Sequence, residues 1–176
     1  RRESKGFRYC RTYCKCSRFM IFDNLHPQAK IWLYLSPIKI DNDIQNNISS
    51  LFKDFVDNWK SHGLSVNGQL SFIKDNLLIV GADYFPNGMC GRAVDAQVRF
   101  VNNINEQFNL DLLNRTNIAF LKEDSIIVHN YSNLDALVMN GSVNENTIYC
   151  NTLSDKNSDE IYLPFGESPF ASSFFS

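Results

Sequence analysis

The sequence predicts an α+β domain on three observations: two segments with helical apolar periodicity, two pairs of β-prone runs joined by turn residues, and a composition in the globular range. Of its 176 residues, 44% are hydrophobic and 20% charged, and the mean hydropathy is -0.26. A chain of this length buries roughly 70% of the surface its unfolded form exposes, so it needs neither a structural metal nor disulfides to fold. The longest apolar run, Leu77 to Val80 extended by Gly81 and Ala82, is far short of the roughly 20 residues of a membrane helix. No membrane span is expected.

The elements follow in order. Ala29 to Leu35 is rich in Ile, Trp, Leu and Tyr and ends at Ser36-Pro37, which marks a first strand and its turn. Asp41 or Asp43 offers an N-cap for a helix whose apolar stripe is Ile44, Ile48, Leu51, Phe52, Phe55 and Trp59. His62-Gly63 ends it, glycine supplying the left-handed conformation of a helix terminus and His62 a cation at the negative end of the dipole. Gln69 to Ile73 and Leu77 to Ala82 flank Lys74-Asp75-Asn76 as a hairpin.

A loop from Tyr84 to Gly91 leads into a second helix, Arg92 to Phe108, with Val94, Val98, Val101, Ile104 and Phe108 on its apolar face and Asp95 in its first turn. Asn117 to Leu121 and Ile126 to Tyr131 form another hairpin. Leu134 to Asn140 is a short helix closed by Gly141, Thr147 to Cys150 a last strand, and the remainder an irregular tail. The order β-α-β-β-α-β is the ferredoxin-like split βαβ pattern, extended by a strand and a short helix, with two helices over one face of a single sheet. Phe165, Phe170, Phe174 and Phe175 are costly to leave in water, so the tail either packs back on the domain or meets a protein partner.

Charge divides the chain. Residues 1 to 19 hold seven of the seventeen Lys and Arg against the single acid Glu3, leaving ten bases against eighteen acids in residues 20 to 176. Nucleic acid is therefore not the expected partner of the folded part, because phosphate binding relies on clustered cations. The first 19 residues, with Cys10, Cys14 and Cys16, read as a disordered arm or as an extension upstream of a true start at Met20. A zinc site there would want a second Cys or His pair that His26 alone does not supply. No metal or cofactor is expected. Without the apolar core of an export signal, and with Cys90 and Cys150 far apart, the cytoplasm is the expected compartment.

Candidate chemistry gathers before the second helix. Gly88 and Gly91 free the backbone to curl, and Arg92 sits where a helix exposes unpaired N–H groups, the arrangement of an anion site. Cys90 at that terminus would have its thiolate favoured, but a catalytic thiol also needs a base, and no neighbour of Cys90 can be picked from His26, His62 and His129. His62 and Asp95 are the candidate acid or base, and Arg115, which would otherwise pair with Asp111 or Asp95, joins Gly88, Cys90, Gly91, Arg92, Asp95 and His62 as a candidate ligand-binding residue. No Gly-Lys pair is followed by Ser or Thr, so no P-loop is present.

Lys30-Ile31-Trp32-Leu33-Tyr34, Trp59-Lys60-Ser61-His62-Gly63, Gly91 to Val101, Asn109 to Arg115 and Gly141 to Asn151 together resemble a family of small, uncharacterised cytosolic Bacteroidota proteins that commonly carry the automatic name "ABC transporter ATPase". The resemblance runs from Met20, where the family begins, nearly to the tail. Its label implies nucleotide hydrolysis. Family members tend to show a Ser-Gly-Cys-Ser-Ile-Asp loop, matched here by Cys90-Gly91-Arg92-Ala93-Val94-Asp95, so the family's cysteine falls on Arg92. The family's Trp-rich ending is replaced by Ser168-Pro169-Phe170 and Ser173-Phe174-Phe175. The expectation is a noncatalytic cytoplasmic binding or regulatory domain with a partner surface at residues 168 to 176. The alternative is a small enzyme or binding protein for a phosphate-bearing substrate at Gly88 to Arg92.

Overall fold

The computed structural model describes residues 20–84 and 88–175. The basic arm with Cys10, Cys14 and Cys16 lies outside the described residues. The elements are β1 (Lys30–Leu35), α1 (Asn42–Asn58), β2 (Lys60–Ser61), β3 (Leu64–Ser65), β4 (Asn67–Ile73), β5 (Leu77–Asp83), α2 (Gly91–Phe108), β6 (Asn117–Lys122), β7 (Ser125–Asn130), α3 (Leu134–Met139), β8 (Ile148–Cys150) and β9 (Tyr162–Pro164). The fold is α+β. No described helix is long and apolar enough to cross a membrane.

Sheet pairing is antiparallel throughout. β5 is flanked by β1 and β4 in a three-stranded sheet, with Trp32 opposite Val80 on one side and Leu70 opposite Val80 on the other. A four-stranded sheet follows the order β7-β6-β8-β9, and β2 pairs with β3 in a small hairpin. Alternation along β5 sorts its side chains. Leu78, Val80 and Ala82 join Ile48, Phe52 and Trp59 at the end of α1 and Phe100, Val101 and Ile104 of α2. Leu77 and Ile79 face the other way, onto Ala119, Ile126, Cys150 and Ile161 around the second sheet. The far side of that sheet, through Ile118, Phe120 and Tyr149, takes α3 and the tail. The layers run helices, sheet, sheet, then α3 with the tail.

This differs from one sheet under two helices. Strands β1, β5 and β4 have the order that the ferredoxin-like pattern gives its first three, but β6 pairs with β7 and β8 instead of lying beside β1. The edge of β1 is met by residues 155 to 157, where Ile31 N–H donates to Asp155 C=O at 2.9 Å and Asn157 N–H to Ala29 C=O at 2.9 Å. With both edges of β6 used in the second sheet, the ferredoxin-like sheet is left without its fourth strand.

Of the two N-cap candidates, Asp41 caps α1 by accepting from Ile44 N–H at 2.9 Å, and two other local readings are corrected. The helix ends at Asn58 instead of His62, because His62 (φ 51°) and Gly63 (φ 81°) form the two-residue loop of the β2–β3 hairpin. Both loop residues need positive φ, as in a type I′ turn, and that is the conformation a helix terminus would also have used. In α2 the buried face is Ala93, Gln97, Phe100, Val101 and Ile104, while Val98 is 44% exposed. Gln97 is tolerated inside because its Nε2 donates to the Tyr34 hydroxyl at 2.8 Å. Asp95 consequently lies beyond the first turn.

The tail packs on the domain. Phe165 is fully buried and meets Phe120 edge-on at 5.2 Å, Phe170 lies 5.5 Å from Tyr131, and Phe174 and Phe175 rest on Phe165. Beneath the first sheet, one buried amide joins several backbone groups of residues 21 to 29, beside main-chain bonds to residues 157 and 158. Asn157 accepts from Phe22 N–H at 2.8 Å and donates to the carbonyls of Phe22, Leu25 and His26 at 2.8, 3.2 and 3.3 Å. Removing it strands buried backbone groups, each worth roughly 1–3 kcal/mol. Asn157→Ala is expected to cost about 3 kcal/mol, seen as a lower urea midpoint at unchanged m-value. An unchanged midpoint would show that the clamp contributes nothing.

Candidate functional site

Trp59 organises the region where α1 ends and α2 begins. It is the C-cap of α1, 2% exposed, with its ring 4.9 Å from Phe55 and 6.4 Å from Trp32. A buried indole N–H needs an acceptor, and Nε1 donates to Ala93 C=O at 2.8 Å. That bond fixes the end of α1 against the first turn of α2. The chain then continues directly into β2, so Lys60 and Ser61 stand beside the same turn.

Ser61 makes the next contact. Its Oγ accepts from Cys90 N–H at 2.9 Å. Cys90 is the N-cap of α2, with extended backbone and no side-chain cap hydrogen bond, and the polar groups that favour its thiolate are the Ser61 hydroxyl and the backbone of His62, Ala93 and Arg92. The Ser61 hydroxyl does most to lower the thiol pKa, which falls from the usual 9.0 to about 7. The helix terminus that the sequence suggested for an external anion thus already faces the chain's own sulfur. Cys150 is the opposite case: burial pushes its thiol up to about 12.

An open groove of about 480 Å³ runs between α1 and α2, lined by Phe55, Asn58, Trp59, Lys60, Ala96, Arg99, Phe100 and Asn103. Its floor is aromatic: Phe55 and Phe100 stack at 4.8 Å with 23° between their planes. Two of the eight lining residues are cations and none is an acid. Among the described residues, Lys30, Lys39 and Lys74 are in ion pairs, and Lys60 and Arg99 are not. Arg92 and Arg99 are seven residues apart on α2, so they share a helix face about 10 Å apart along the axis.

Of the residues suggested by sequence, Cys90, Gly91, Arg92 and His62 come together at the hairpin tip and the α2 terminus. His62 meets Cys90 through its backbone. Gly91 opens α2, and Gly88 precedes it at φ 70°. Arg92 and Asp95 are exposed on the helix. Arg115 belongs elsewhere: it makes no ion pair with Asp111 or Asp95 and lies near Tyr34, two turns along α2 from Cys90. None of these residues lines the groove. Lys60, Arg99, Phe55, Asn58 and Asn103 were not singled out from sequence, and only the seven-residue spacing of Arg92 and Arg99 hinted at them.

No group of three or more His, Cys, Asp or Glu that could hold a metal ion occurs among the described residues. Comparison with protein-family models, with curated proteins and with solved structures finds no match.

Alkylation by iodoacetamide, followed by peptide-resolved mass spectrometry across pH, checks the thiol assignment. The rate at Cys90 is expected to be half-maximal near pH 7, and Ser61→Ala to move that midpoint upward. Cys150 should react only after unfolding. A Cys90 midpoint near 9 would contradict the cradle.

Proposed function

We propose that this domain is a noncatalytic binding or regulatory module that takes a small anionic molecule in the groove between α1 and α2. The observation that carries this reading is the charge of the groove. In residues 20 to 176, with ten bases against eighteen acids, Lys60 and Arg99 stand together on one lining that holds no carboxylate. Arg92 lies two turns before Arg99 on α2, with Asp95 between them on the same face. Two exposed cations beside apolar rings, with no acid on the same lining, favour a ligand that brings its own negative charge. The sequence lacks the Gly-Lys-Ser/Thr phosphate loop, so the reading assigns binding and not P-loop hydrolysis.

Thermal shift tests it, with AMP, ribose 5-phosphate and glycerol phosphate as probes. A ligand at a hundred times its Kd adds about 2.7 kcal/mol, several degrees for a domain of this size. The shift is expected to vanish in the Lys60→Gln/Arg99→Gln double variant, to weaken in Arg92→Ala, and to persist in Lys53→Gln, which lies on the separate groove between α1 and β4. A full response in the double variant would overturn the assignment.

A further inference from the structure

The geometry points to a flat aromatic or heteroaromatic ring carrying an acidic group as the occupant of this groove, an inference that rests on the anion-binding reading above. Three features of the lining separate such a molecule from a plain anion. The first is the floor. Trp59 and Phe100 are 2% and 7% exposed, whereas Phe55, which contacts both at 4.9 and 4.8 Å, stays half-buried. One ring of a continuous aromatic stack is therefore left partly open, and a flat ring adds to such a stack in offset or edge-on geometry.

The second feature is a side-chain amide from each helix. Asn58 uses Nδ2 on Asp54 C=O at 3.1 Å, and Asn103 makes no side-chain hydrogen bond among the described residues. Asn58 Oδ1 and the Asn103 amide offer acceptors and donors to heteroatoms on a ring edge, which an aliphatic acid would not use. The third is the pair of cations. Lys60, just after α1, and Arg99, on α2, line the same groove as the rings. Arg99 presents a planar fork suited to a carboxylate or phosphate, and Lys60 a point charge. A volume of about 480 Å³ suits a molecule of mononucleotide size.

A nucleoside monophosphate and an aromatic carboxylate share this chemistry, and calorimetric titration of the full chain separates them. The probes are AMP, indole-3-carboxylate, adenosine and ribose 5-phosphate. At least one ring-bearing acid is expected to bind tenfold or more tightly than both adenosine and ribose 5-phosphate. Tighter AMP identifies a nucleotide, tighter indole-3-carboxylate an aromatic acid. Phe55→Leu is expected to weaken the ring-bearing acids about tenfold and leave ribose 5-phosphate unchanged, and the exposed Arg99→Gln to weaken every acid. If ribose 5-phosphate binds as well as both ring-bearing acids, the ring inference falls and the anion reading stands. If adenosine matches AMP, or no probe binds, both fall.

Discussion

The fold depends on one constraint: β5 is apolar on both faces. Leu77, Leu78, Ile79 and Val80 are all fully buried, each worth roughly 1.5–3 kcal/mol against exposure. A strand of this kind cannot sit in a sheet with one wet side. The helices cover Leu78, Val80 and Ala82, which leaves Leu77 and Ile79 requiring a second cover, and the β6 to β9 sheet supplies it. Gly81 completes that side. A Cβ there would lie 2.6 Å from the Phe22 ring and 2.7 Å from Leu25, so glycine is what lets residues 22 to 25 close over the strand.

The candidate site grows from the same arrangement. Because α1 and α2 share one sheet face, the end of one helix meets the start of the other, and Trp59 joins them through Ala93. Gln97 and Tyr34 pin α2 to β1 farther along. Burial pushes the Tyr34 hydroxyl up in pKa, against smaller opposite effects of Gln97 and Arg115, so this contact stays a neutral pair. With those two anchors fixing its first half, α2 presents Ala96, Arg99 and Asn103 to the groove. The short hairpin after Trp59 places Lys60 on the groove and Ser61 on Cys90, as neighbouring residues of a strand point to opposite sides.

Much of the architecture was legible because its signals are local. The stripe of α1, the hairpins around Lys74 to Asn76 and Lys122 to Asp124, and the short α3 each announce themselves within a dozen residues. The unbroken apolar run of β5 needs cover on both faces, which the expectation of one sheet under two helices did not supply, and the source of the second cover was not local. It involves the meeting of Ile31 with Asp155, which no periodicity records. In α2 a polar residue at a core position, Gln97, disguised the buried face, and Val94 and Val98 suggested a neighbouring stripe. The contact between His62 and Cys90 uses backbone, a group every residue carries, so nothing in the side chain foretold it. Lys60 and Arg99 are unremarkable until the fold brings them to one lining.

The Asn157 clamp bears on how the chain is made. It joins residues separated by 135 positions, and its acceptors belong to the first described segment. During synthesis the early strands and both long helices emerge well before residue 157. Until it arrives, residues 22 to 25 are not pinned over that side of β5, and the nascent chain carries an unsealed edge on β1. Closure is thus a late event of high contact order, and chains cut short of Asn157 retain a sticky half-sandwich, the kind of species that chaperones hold and proteases clear.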